Sequence, residues 1–249
     1  MVLRSKFSPV ILLLFVFSCG SASNGDTDET RLDSTAQLME NVFGAHGDFG
    51  NYSFIFRGNN YTFSITDSTY VYGKLEQTDS LILEDVLTNS GFQRNENGVA
   101  LNLNKADIDR YSEALNSVIY FTCLPLNLND PAVNREIKPQ VSINNRMYDV
   151  VEVTFDEEGG GKDHDDVFYY WFNKETHIMD FMAYSYKVNG GGVRFREAFN
   201  SRMIDGMRFQ DYVNYSAPVG TPLDSLPILF EQHKLEELSL IIAEEVESF

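Results

Sequence analysis

The sequence predicts an α+β domain made mainly of antiparallel strands, with two helices set into the strand order. Three observations carry this. Aromatic and polar residues alternate with period two from Tyr52 to Thr66. Turn-forming segments recur through the second half, as "INNR", the glycine loop 158–162, "NKETH", "NGGG" and "MIDG". Helical spacing is clear at only two places, residues 33–45 and 106–121.

In chain order, Leu32, Ala36, Met39 and Phe43 recur at helical spacing. Asp33 or Ser34 can cap this first helix, and Gly44 and Gly47 end it. Tyr52, Phe54 and Phe56, then Tyr61, Phe63 and Ile65, form a hairpin around Gly58-Asn59-Asn60. A further strand covers residues 70–75, and another hairpin turns at 95–98. In the second helix Ile108, Tyr111, Leu115, Val118 and Ile119 share one stripe, with Asn104 as cap and Pro125 beyond the end. Strands follow at 140–143, 147–155, 167–172, 178–186, 193–199 and 207–215. Residues 235–246 suit a strand or a short amphipathic helix equally.

The N-terminus reads as an export signal. Arg4 and Lys6 precede an apolar run at 10–17, far short of the roughly 20 residues of a spanning helix. Ser18-Cys19-Gly20 resembles a bacterial lipobox, which implies cleavage before Cys19, acylation of its thiol and capping of the new amino terminus. This divides the chain into a signal (1–18), a small, acidic tether (19–30) and one domain (31–249). Loss of the signal takes two of the 19 basic residues and none of the 37 acidic ones, moving the formal charge from −18 to −20. So acidic a chain has no affinity for nucleic acid, and its contact with the membrane would run through acyl chains. Cys123 would then be the sole remaining thiol, in the apolar context "IYFTCLPL", and reads as a small buried hydrophobe.

Residues 168–186 ("FYYWFNKETHIMDFMAYSY") and 193–215 ("VRFREAFNSRMIDGMRFQDYVNY") resemble the last strands and turns of the LolA/LolB lipoprotein-carrier superfamily. His46-Gly47 after the first helix, "GGGKDHDDVF" and "RFREAFN" are similar to an uncharacterised family of Bacteroidota-type lipoproteins. The resemblance implies a LolA-like unclosed half-barrel covered by two or three helices and a place in the cell envelope. Gly20 after the lipobox Cys leans to the outer membrane.

Three groups of residues could carry function. The aromatic strands offer Tyr52, Phe54, Phe56, Phe168, Tyr170, Trp171, Phe181 and Tyr184 to an acyl chain or other hydrophobic ligand, provided helices leave a cavity. Arg194, Arg196 and Arg208 are concentrated basic residues in an acidic chain. They suit an anion, or internal ion pairs with the loop Asp163, His164, Asp165 and Asp166. That loop would at most hold Ca2+ weakly, its spacing matching neither a calcium loop nor a zinc signature, and no other cofactor is expected. No G-x-S-x-G, P-loop or Cys–His pair points to catalysis. The expectation is a non-catalytic envelope lipoprotein that binds a hydrophobic ligand or lipidated partner. The alternatives are an interaction lipoprotein with a filled core, or an enzyme centred on His164 and its neighbouring aspartates.

Overall fold

The chain is described by a computed structural model over residues 26–66, 68–158, 166–187 and 190–249, with side chains from residue 35 onward. Two seven-stranded antiparallel sheets, neither closed on itself, form its body. The first runs β1 (Asn51–Phe56), β2 (Asn59–Ile65), β3 (Tyr70–Gln77), β4 (Ile82–Thr88), β5 (Gly91–Glu96) and β6 (Val99–Ala100). The second runs β7 (Val133–Ile143), β8 (Arg146–Phe155), β9 (Val167–Asn173), β10 (Met179–Tyr186), β11 (Gly192–Ile204) and β12 (Met207–Ala217). Strands β13 (Glu236–Ile241) and β14 (Glu244–Ser248) then part company: β13 completes the second sheet beside β12, and β14 completes the first beside β1. Helices α1 (Asp26–His46), α2 (Lys105–Cys123) and α3 (Leu226–Glu231) cover the sheets. This is the mainly antiparallel α+β class that the sequence predicts, with strand order following chain order because each hairpin closes locally.

Local chemistry explains the hairpins. Arg57-Gly58, Asn97-Gly98, Asn144-Asn145 and Asp205-Gly206 each form a two-residue loop with both φ angles positive. That geometry matches the right-handed twist of the flanking strands. The first loop therefore sits on Arg57-Gly58, one residue earlier than the Gly-Asn-Asn reading of the sequence. Strand β7 begins at Val133, well before the expected residue 140, and a register shift between Lys138 and Val141 absorbs Pro139. An edge strand tolerates a residue without an N–H, which is why the proline hid the strand but does not break it.

Helix α1 starts at Asp26, ahead of the expected 33, and enters the stretch that composition assigned to the tether. No Gly or Pro interrupts residues 26–43, so nothing stops the helix at Asp33 or Ser34. Its buried stripe is Leu38, Met39 and Val42. Gly47, at φ +95, ends it against the β11–β12 turn, where an added Cβ would stand 1.8 Å from the carbonyl oxygen of Gly206. Helix α2 is capped as expected, the Asn104 side chain accepting from the Asp107 N–H at 3.0 Å. Leu115, Ile119 and Cys123 are its buried positions, and each large apolar side chain so buried stabilises the fold by about 1.5–3 kcal/mol. Burial pushes the Cys123 thiol far up, so it is inert packing, not a nucleophile. Among the described residues no helix is long and apolar enough to cross a membrane.

Three clusters fill the interior. One joins α1 to Phe168, Tyr170, Phe172 and Met182 on one face of the second sheet. Another joins α2 to Tyr52, Phe54, Tyr61 and Phe63 of the first sheet and to Phe209 of β12. The third lies on the opposite face of the second sheet, where Trp171, Phe181 and Phe195 pack under Leu223 and Leu226.

Between β13 and β14 the chain leaves one sheet for the other, and a buried carboxylate holds it there. Asp211 is 1 % exposed; its Oδ1 accepts from the Ala243 N–H at 3.0 Å and its Oδ2 from Asn200 Nδ2 at 2.6 Å. Arg202 Nη1 stands 3.2 Å from Asp211 Oδ1, and Nη2 donates to the Ala243 carbonyl. A bulge between Phe199 and Arg202, with Asn200 at φ 49, aims both side chains at this carboxylate. We expect Asp211→Ala to destabilise the protein by about 3–5 kcal/mol, since it leaves Arg202 and a buried N–H without their partner. Chemical denaturation tests this, and a loss below about 1 kcal/mol would show that the crossing is held by other contacts.

Candidate functional site

Helix α2 stands between the two sheets and leaves a space on each side. On the Asn116–Tyr120 side lies an open cleft of about 1000 Å3, bounded by the β2–β3 hairpin and residues 126–133. Polar groups including Asp48, Thr66, Thr69, Asn116 and Asp130 line it. Burial raises the Asp130 carboxyl above its ordinary range. On the other side lies a cavity of about 320 Å3, at the lower end of ligand-pocket size.

The smaller cavity draws on every layer. Strand β1 contributes Phe54 and Phe56, and the turn after it Arg57; α2 contributes Ser117, Val118, Phe121 and Thr122. Strands β10, β11 and β12 present Tyr184, Arg196, Gln210, Tyr212 and Asn214, and Ile241 and Ala243 of the crossing close it. Strand alternation fixes this set, because positions 210, 212 and 214 share one face of β12 and Asn214 lies directly opposite Arg196. No Asp, Glu, His or Cys is among the described lining residues. In a chain of formal charge −18 the cavity is thus a local region of positive charge, with two arginines and no counter-charge in its wall.

Arg196 is the unusual group. It is 8 % exposed. Its Nη2 donates to the Tyr184 hydroxyl at 3.1 Å, and its guanidinium lies 4.3 Å from the Phe121 ring centroid and 5.3 Å from that of Tyr184. Its Nε has no partner, and no carboxylate pairs with it among the described residues. The fold treats other arginines differently. Arg94 makes a two-pronged contact with buried Asp85 at 2.6 and 2.7 Å, and Arg202 pairs with Asp211. Burying a charge costs several kcal/mol. Against that, ring contacts return about 0.5–2 kcal/mol and a charge-assisted hydrogen bond about 1.5–3 kcal/mol. Gln210 Oε1 and Asn214 Oδ1, on the same cavity, also lack partners.

The sequence-expected residues divide between the faces. Phe54, Phe56 and Tyr184 line the cavity. Tyr52 is core, its hydroxyl donating to the Asp205 carbonyl at 3.0 Å. Phe168 stacks on Tyr184 at 5.3 Å and so backs the cavity wall, and Tyr170 is buried beneath α1 in the same cluster. Trp171 and Phe181 point away, into the cluster below Leu223 and Leu226. Both strands are apolar on both faces, so period two alone did not say which face meets the cavity. Of the basic group, Arg196 alone reaches it. Arg194 donates to the Tyr186 hydroxyl at 2.7 Å, and Arg208 to the Ala45 carbonyl at 3.0 Å and Ser201 Oγ at 2.9 Å. Asp163, His164 and Asp165 lie outside the described residues, as does Cys19; Asp166 immediately precedes β9. The sequence reading missed Arg57, Phe121, Gln210, Tyr212 and Asn214. A polar Gln and Asn alternating on a strand that otherwise reads as buried was the available signal.

His46 lines neither space. It is 4 % exposed with Nε2 unpartnered, and its pKa is lowered to about 3, first by burial and then by the charge of Arg208. Unfolded, the imidazole titrates near 6.5. Between those values the unfolded chain binds a proton that the folded chain does not, so stability falls as pH drops, by about 1.4 kcal/mol per unit. Denaturation at about pH 7 and about pH 4.5 is therefore expected to show His46→Gln losing roughly 2.5 kcal/mol less than the parent. Equal losses would mean that the imidazole takes up its proton in the folded state.

A comparison with curated proteins finds no match. Among solved structures, the chain is similar to a LolA superfamily protein from Nitrosomonas europaea. The two are 11% identical, with 86% of this chain and 93% of that one covered and a TM-score of 0.48. It is similar to a DUF1329 family protein from Desulfovibrio piger, at 10% identity, 88% and 92% coverage and a TM-score of 0.42. A third is a domain from Vibrio parahaemolyticus described as an outer membrane lipoprotein-sorting protein, at 8% identity, 79% and 96% coverage and a TM-score of 0.40. Nothing about ligand or reaction follows from overlaps at this level. The family of unknown function DUF6503 matches residues 49–244, which include strands β1 to β13 and every lining residue of the smaller cavity. This chain belongs to the DUF6503 family.

Proposed function

We propose that the protein is a cell-envelope lipoprotein, anchored through acyl chains on Cys19 at the outer membrane, that binds a hydrophobic ligand between its sheets. The observation that carries the reading is the cavity of about 320 Å3, walled by Phe54, Phe56, Val118, Phe121 and Ile241. Apolar side chains around a partly enclosed space favour an apolar guest, at about 25 cal/mol per Å2 removed from water. The location rests on the export signal and the Ser-Cys-Gly context in the sequence.

Binding here needs no covalent step. The hydroxyl groups on the α2 side are Ser117 and Thr122, and Thr122 Oγ1 donates to the Val118 carbonyl at 2.8 Å. No base stands among the described lining residues to activate either one. The ligand would be held and released intact, as a carrier or sensor requires.

Native mass spectrometry of the purified protein tests the reading. Added palmitate, or a co-purifying lipid, is expected to appear as a bound mass that Ser117→Trp removes. Ser117 is exposed on α2, so an indole at that position fills the cavity mouth without disturbing the core, and the thermal midpoint is expected to stay unchanged. A clean unliganded mass under excess acyl probe would sink the proposal.

A further inference from the structure

We propose that Arg196 is the head-group receptor of this cavity, and that the ligand is a single-chain amphiphile ending in a carboxylate, a free fatty acid. The inference deepens the hydrophobic-ligand reading and rests on it. Arg196 is more than nine-tenths buried, lines the cavity, and uses one of its five N–H donors, on the Tyr184 hydroxyl. The planar fork complements a carboxylate, and a single buried guanidinium balances one unit of negative charge, whereas a phosphate monoester carries closer to two.

The neighbours fit the same occupant. Asn214 faces Arg196 across the β11–β12 pair, and its unpartnered amide oxygen marks a side chain that a half-turn would convert into a second donor. The Tyr184 hydroxyl, already accepting from Arg196, can give its own proton to the carboxylate. The rings of Phe54, Phe56 and Phe121 and the side chain of Ile241 would receive the chain. Arg57, exposed at the rim and 5.0 Å from the Phe56 ring centroid, is screened by solvent; it steers an anion to the entrance without entering the buried charge balance. The excess of acidic over basic residues elsewhere makes this the place where an anion can approach.

The test compares cis-parinaric acid, its methyl ester and dodecyl phosphate on the purified protein, by fluorescence titration and competition. The acid is expected to bind at least about tenfold more tightly than the ester, the worth of one charge-assisted contact. Arg196→Met keeps the volume and removes the charge; it is expected to weaken the acid by a similar factor and leave the ester unchanged. Arg196→Lys recovers part of the loss. Because the acid–ester comparison is made on the unaltered protein, it stands even where a variant misfolds. Equal binding of acid and ester overturns the head-group assignment while the hydrophobic cavity survives. Tighter binding of dodecyl phosphate than of the acid overturns the carboxylate. An acid preference that Arg196→Met leaves intact places the anion elsewhere and overturns it also. Binding of none of the three removes this inference and the cavity reading together.

Discussion

The carboxylate of Asp211 is the contact on which the arrangement of the two sheets depends. Each sheet is a chain of hairpins that closes locally, and neither meander by itself specifies where the other lies. Besides the aromatic cluster that sets Tyr52 and Phe63 against Phe209 of β12, the C-terminal segment links them, its β13 and β14 belonging to different sheets. Taking a carboxylate out of water is costly, and it is tolerated where several donors converge. Here Asn200, Arg202 and the Ala243 N–H do so. The bulge in β11 exists in the right place to deliver two of those donors. Ala243, held by this clasp, forms part of the cavity wall with Ile241, so a contact that joins the sheets also shapes the space between them.

Arg202 and Arg196 lie on one strand and show opposite solutions to burying a guanidinium. Arg202 is answered by Asp211 and a backbone carbonyl. Arg196 is answered by the rings of Phe121 and Tyr184, the latter also accepting a hydrogen bond through its hydroxyl, both on the cavity side. With 37 acidic residues in the chain, a carboxylate partner was abundantly available in composition. The cavity instead gathers uncharged donors and acceptors around the cation. The larger cleft across α2 carries the opposite charge, with Asp48 and Asp130 in its wall. One helix therefore separates an acidic space from a basic one, both with aromatic walls, and it does so because Asn116 and Tyr120 project to one side and Ser117, Val118, Phe121 and Thr122 to the other.

The sequence by itself determined what is settled within a few residues of chain. The Tyr52–Ile65 hairpin, the capped helix α2 with its Leu115–Ile119 stripe, and the inert character of Cys123 all follow from periodicity, a local cap and an apolar context. Turn chemistry also fixed the antiparallel meander and hence the fold class. Where local signals were absent or contradictory, tertiary structure decided. Pro139 concealed the first half of β7 because an edge strand accommodates what a central one cannot. Residues 235–246 carried no preference because the two strands there borrow their pairing from strands distant in sequence, β13 from β12 and β14 from β1. The site shows the same division: period two says that Tyr170 and Trp171 face opposite ways, yet both faces of β9 are buried, so only the positions of α1, α2 and α3 assign one to the inter-sheet side and the other to the far core. The isolation of Arg196 from every described carboxylate is likewise invisible in sequence, because it depends on which strands stand beside it, a property of the assembled sheets and not of the chain.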